Sequence, residues 1–170
     1  MKITNLRELF ENGLKYAYDC EQKLAEKGIP SMIEAASSPE LRNALQQHLQ
    51  ETTNHVKRIE KVFSIIGIEA ETEDNDIIDE ITDVADKMVD ATEEGSPLRD
   101  AALIVGGNIV EHYEMAAYGS LAAFAKQLGF NEAAQLLEQT LNEEKAADAK
   151  LIQIGQTSVN RKAAQELRAA

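Results

Sequence analysis

Two glutamates, Glu111 and Glu114, stand three residues apart in the stretch NIVEHYEMAAYG at 108–119. The stretch reads as helix, and this spacing places both carboxylates on nearly one side of it. The same side carries Leu103, Val110, Ala117, Leu121 and Phe124, so it should face a core. Glu21 likewise falls in the stripe of Phe10, Leu14, Ala17 and Leu24. Glu144 and Asp148 interrupt the stripe of Leu137, Leu141 and Leu151. Glu51 adjoins a stripe of Leu45, His48, Thr52, His55 and Ile59. At 1.5 Å of rise per residue, distances counted from the intervening turns bring these acids to one height in a bundle. The spacing also echoes itself. Glu21 to Glu51 and Glu114 to Glu144 are each 30 residues, and a shift of 93 superimposes Glu21, Glu51 and His55 on Glu114, Glu144 and Asp148.

The chemistry follows from the cost of burial. An unpaired buried carboxylate costs several kcal/mol or takes up a proton, and several in one layer repel each other. No Lys or Arg lies on these stripes at that height, so bound cations are the remaining counter-charge. The candidate metal ligands are Glu21, Glu51, His55, Glu111, Glu114, Glu144 and Asp148, and the expected cofactor is two divalent metal ions. An oxygen-rich set with one imidazole suits iron or manganese over a closed zinc site, which prefers Cys and His. His48 reads as a boundary histidine with a hydrogen-bond partner, and His112 either as a surface residue or as one that supports a ligand from behind. Glu138 and Glu143 read as solvated, and Cys20 as a structural residue pointing away from the stripe. Tyr18 and Tyr118, one turn from Glu21 and Glu114, are placed either to hydrogen-bond ligands or to pack the core. No catalytic residue is assigned.

The elements that must position these groups are long helices. Asn5 with Glu8 forms a capping box that opens the first helix, and Pro30 is its kink point. Ser38–Pro39 caps and starts the second helix, and Gly67 ends it; Ser96–Pro97 starts the third, which Gly129 stops near Leu128. The fourth runs from about Asn131 to about Ile154. The acidic stretch 68–96 is a crossover carrying one short helix around 76–92. The expected fold is all-α: one ferritin-like domain over 1–170, a four-helix bundle with hairpins 1–67 and 97–155, the long crossover between them, and a tail at 156–170.

The totals set limits. The 170 residues carry a net charge of −13, from 30 acidic and 17 basic side chains. Such a surface repels nucleic acid and anionic membrane, so neither is an expected partner. A single cysteine excludes an intrachain disulfide. No run of about 18 apolar residues is present, and the start MKITNLRELFENG lacks a signal core, so the expected location is the cytoplasm.

The segments AASSPELRNALQQHLQETTNHVKRIEKVF, LRDAALIVGGNIVEHYEMAAYGSLAAFAKQLG and EAAQLLEQTLNEEKAADAKL resemble the YciF-type ferritin-like stress proteins over residues 5 to about 155. That resemblance implies a rubrerythrin-like bundle, a dinuclear metal site, a bacterial stress response and a homodimer. It matches Glu21 to the family's acid on helix one, Glu51 and His55 to helix two, Glu111 and Glu114 to helix three, and Glu144 and Asp148 to helix four. The chain departs from many di-iron proteins, which place His three residues after Glu; here those positions are Asn54 and Ala147. Two functions are carried forward. One is a dinuclear protein that oxidises or reduces peroxide or dioxygen, with an unknown electron donor. The other is a non-enzymatic helical stress protein stabilised by metal or docking a partner.

Overall fold

The computed structural model describes residues 2–166, and its regular elements are helical. Helix α1 (Leu6–Lys23) passes through a π turn (Leu24–Gly28) into α2 (Ile29–Ala35). Then come α3 (Pro39–Ile66), α4 (Asp76–Asp90), α5 (Pro97–Gln127) and α6 (Asn131–Ile154). A second π turn (Gly155–Val159) leads into α7 (Asn160–Glu166).

The ends are chemically determined. Asn5 accepts from the Glu8 N–H, Ser38 from Leu41, Asn75 from Ile78 and Ser96 from Arg99, so each of α1, α3, α4 and α5 has a side-chain N-cap. Pro39 and Pro97 occupy first-turn positions, where a missing N–H costs nothing. Gly67 and Gly129, at φ +78° and +82°, end α3 and α5 in the left-handed region. At Pro30 the chain does not break. One extra residue is accommodated in the preceding π turn, with the Ile29 N–H bonding to the Leu24 carbonyl. A widened turn gives the proline ring space and absorbs its missing donor.

Four helices form the bundle ring: α1 packs on α3 and α5, and α6 packs on the same two. Cross-contacts fix the directions. Arg7 reaches the Ile66 carbonyl, Tyr18 reaches Glu60 and Glu21 lies near His55, so α1 and α3 are antiparallel. Gly13 lies against Leu121 and Cys20 against Glu114, so α1 and α5 are antiparallel too. Therefore α3 and α5 run the same way. That requires a long connection, which 68–96 provides, with α4 laid along α5. Lys23, paired with Asp19 on its own helix, pins this connection through Asp74 and Asp79. Asn75 adds hydrogen bonds to the Tyr16 carbonyl and Tyr113 hydroxyl. The stretch 155–166 continues α6 as helix, with Val159 buried; 167–170 lie outside the described residues.

The core is in two parts. One contains Phe10, Leu14, Phe63, Tyr118, Leu121 and Leu137. The other contains Leu24, Leu41, Leu45, Leu103, Leu151 and Ile154. Between them, at mid-height, lies a polar layer.

Candidate metal centre

Every ring helix contributes to that layer, because each breaks its apolar stripe there. Helix α1 contributes Glu21, α3 contributes His48 and His55, α5 contributes Glu111 and Glu114, and α6 contributes Glu144. All six are buried; Glu21, His55 and Glu144 are fully so. They form two groups of possible metal ligands. The first is His48, Glu111, Glu114 and Glu144, and the second is Glu21, His55 and Glu144; within each, one ligand atom per residue lies within 4.8 Å of the others. Glu144 belongs to both. Its Oε1 lies 2.9 Å from His55 Nδ1, and its Oε2 lies 3.9 Å from His48 Nε2. One carboxylate therefore offers an oxygen to each group.

The layer is unsatisfied by protein alone. Glu21 Oε2, His48 Nδ1, His55 Nδ1, Glu111 Oε2 and both oxygens of Glu144 are buried without a hydrogen-bond partner. Buried polar atoms are normally paired, so this concentration at one height demands a reason. His55 Nδ1 is close to Glu144 and also 3.4 Å from Glu21 Oε1, but neither contact is aligned as a hydrogen bond. Two cations, each facing carboxylate oxygens and an imidazole, fit these orphaned atoms and the donor set.

The electrostatics show the strain of gathering acids. Burial, then Glu144, Glu21 and Glu111, push Glu114 well above the usual carboxylate range. Burial also raises Glu21, and it lifts Glu111 to about 7 against the opposing pull of His48. Burial disfavours charge on His55, but Glu144 and Glu21 outweigh it and hold the imidazole up at about 10. His48 is treated alike: burial opposes its charge, and Glu111 and Glu51 reverse the balance, raising it. Without a metal, protons must hold this layer together.

Supporting contacts orient the ligands. Tyr118 donates its hydroxyl to Glu21 Oε1. His55 Nε2 lies 2.8 Å from Glu143 Oε2, which also accepts from Arg58 at 2.8 Å. A carboxylate behind an imidazole fixes its tautomer and leaves Nδ1 to face the layer.

Of the residues picked from sequence, the structure brings together Glu21, His55, Glu111, Glu114 and Glu144. Glu51 lies at the rim, one third exposed, with Oε2 3.7 Å from His48 Nδ1 and Oε1 accepting from Gln47. Asp148 accepts from Asn108 at 2.6 Å and lies 3.4 Å from the exposed His112, outside both groups. His48 sits in the layer and not at a boundary. The signal was its place on the Leu45–His48–Thr52–His55 stripe. Glu143 is not simply solvated, since it clamps His55 through Arg58. Cys20 faces inward, its Sγ 3.8 Å from Glu114 Oε1, and burial followed by that carboxylate raises its thiol pKa far up. Tyr18 turns to Glu60 instead of Glu21.

The fold and site together define a class: a ferritin-like helical bundle whose middle layer could hold metal. Residues 5–164 match the family described as a domain of unknown function, DUF892, and the chain belongs to that family. It is 35% identical over 164 residues to protein YciF of Escherichia coli strain K12, covering 96% of this chain and 98% of that one. The crystal structure of the E. coli stress protein YciF matches with a TM-score of 0.88 at 34% identity, over 94% of this chain and 100% of that chain. A structure of YcfI from Rhodopseudomonas palustris matches at 0.85 and 35% identity, over 88% and 94% of the two chains. A protein from Xanthomonas campestris pv. campestris shares the fold at 0.73 and 23% identity, over 96% and 99%.

Proposed function

We propose that this chain is a dinuclear metal–carboxylate protein of a bacterial stress response, with peroxide or dioxygen as its substrate. The observation that carries the reading is the set of six buried atoms without partners in one layer, on residues of two possible ligand groups that share Glu144. His48, Glu111, Glu114 and Glu144 would hold one ion; Glu21, His55 and Glu144 would hold the other. The oxygen-rich donors favour iron or manganese. Such a pair would supply redox chemistry toward oxygen species, one electron from each ion. The stress role is supported by the likeness to the E. coli stress protein YciF.

The chain's own residues prepare the site. Arg58 and Glu143 lock the His55 ring, and Tyr118 holds one oxygen of Glu21 so that the other faces inward. Before an ion enters, burial holds Glu111 at about 7, so it can give up its proton near neutrality as metal is taken up. Protein loaded anaerobically with Fe(II) and mixed with hydrogen peroxide tests the proposal. Peroxide should be consumed faster than by an equal amount of free iron, and Glu144→Ala should abolish the difference. Bound metal with no such consumption would sink the peroxide reading and leave a metal-stabilised structural protein.

A further inference from the structure

Helices α3 and α6 leave a gap where they pass the polar layer, because small side chains line it: Ala44 from α3, Ala146 and Ala147 from α6. The gap is a pocket of about 220 Å³ whose inner end is the buried His48 and Glu111. Its mouth carries Gln47, Glu51 and Lys150. A shallower depression continues outward along α6, lined by Glu138, Gln139, Asn142 and Glu143. Glu51 and Ala146 line both, so the two are continuous. Glu51 stands halfway. Gln47 holds its Oε1 at 2.9 Å, and its Oε2 lies 3.7 Å from His48 Nδ1. That nitrogen is buried and has no hydrogen-bond partner. The opposite nitrogen, Nε2, lies 3.1 Å from Glu111 Oε1, inside the layer. One ring therefore shows an unfilled nitrogen to the seam and its other nitrogen to the ligand groups.

We infer that divalent cations reach the candidate metal centre along this α3–α6 seam, passing from the depression to Glu51 and then past His48; the inference rests on the metal reading above. The lining selects the occupant. Carboxylate and amide oxygens at intervals let a hard cation exchange its waters stepwise, and a net charge of −13 draws cations to the surface. The cavity of about 450 Å³ beneath α4 also reaches His48 and Glu111. The other acids of its lining, Glu26, Asp79, Asp83 and Asp86, are all exposed. Apart from His48 and Glu111, its buried lining is apolar, as at Leu24, Ile29 and Ile78. An ion crossing there would lose its hydration with nothing to replace it.

Mn(II) uptake, followed by loss of the free-ion EPR signal after rapid mixing, and Mn(II) release into excess chelator test this. Ala146→Trp plugs the seam where its two parts meet, and Asn142→Trp narrows the outer part; both positions are exposed. Each should slow uptake and release alike, by about tenfold, because a blocked path raises the barrier in both directions and leaves the end states alone. Metal content at equilibrium should not change. Met32→Trp, in the cavity beneath α4, should alter neither rate. Charge supplies an independent arm. In low salt Glu138→Gln should slow uptake and Lys150→Gln should speed it, each about twofold to fivefold, and both effects should fade near about 0.5 M salt. Unchanged rates in the seam variants, or slowing by Met32→Trp in their place, would overturn the inference. If one seam variant does not fold, the other decides together with the charge pair. A wild-type chain that takes up no Mn(II) would defeat the metal reading and the route with it. Full uptake at rates blind to every seam substitution would defeat the route alone.

Discussion

Glu144 is the residue on which the site turns, because its two oxygens face two different ligand groups. Glu144→Ala should therefore reduce bound metal from two ions per chain to almost none. His48→Ala and His55→Ala should each leave about one. Glu51→Ala, which removes a carboxylate behind His48, should weaken binding about tenfold to a hundredfold, as supporting contacts commonly do. Asp148→Ala should leave the metal content intact. Elemental analysis of the five purified variants measures these outcomes. The same residues predict a pH dependence of the metal-free protein. Glu111 at about 7 and His55 at about 10 both stand above their ordinary values of 4.5 and 6.5. Each contributes stability that is fully present below the ordinary value and is lost as pH rises through the folded one. The melting temperature without metal should fall from about pH 5 to about pH 10, and metal affinity should rise over the same range as ligand protons are displaced. Calorimetry showing a flat or rising melting temperature between pH 5 and 8 would contradict this.

The helices were readable to within a residue or two, since serine–proline starts, glycine stops and apolar spacing all act locally. Ser38–Pro39, Gly67, Ser96–Pro97 and Gly129 perform in the structure the roles their chemistry suggests. Reading which stripe residues meet was harder. Periodicity gives the face of a helix but not its rotation against three neighbours. That is why His48 turns fully inward, Glu51 stays at the rim, and Cys20 meets Glu114. The π turn at Leu24–Gly28 was not foreseeable as such, because Pro30 signals a disruption but not its form. A long-range cap also lies beyond sequence reach. Asp100 on α5 accepts from the Ser37 N–H at 2.7 Å, the Ser37 hydroxyl at 2.6 Å and the Ser38 N–H at 3.0 Å, tying the α2–α3 turn to a helix 60 residues later. Its carboxylate is buried, so Asp100→Ala strands backbone donors. The variant should lose about 1–3 kcal/mol of stability in urea melts, with metal content unchanged because Asp100 is far along α5 from the layer.

At the scale of the molecule, the two apolar cores are separated by a layer of buried polar groups, several without partners. Metal binding should then stabilise the fold as any native-state ligand does, by about 2.7 kcal/mol per site at a hundredfold excess over the dissociation constant. The net charge of −13 suits cation uptake and fits poorly with nucleic acid or an anionic membrane surface. Among the described residues, no helix is long and apolar enough to cross a membrane. A homodimer is proposed from the sequence resemblance, and the exposed Leu98, Val105, Ile109 and Ile152 are apolar surface on α5 and α6 that such a contact could use. The most direct measurement of the account is an anomalous-scattering map from crystals loaded with Fe(II) or Mn(II). Two peaks should flank Glu144, one beside His48, Glu111 and Glu114 and the other beside Glu21 and His55. A layer without peaks, in which His55 and His48 close well-aligned hydrogen bonds onto the same carboxylates, would contradict it.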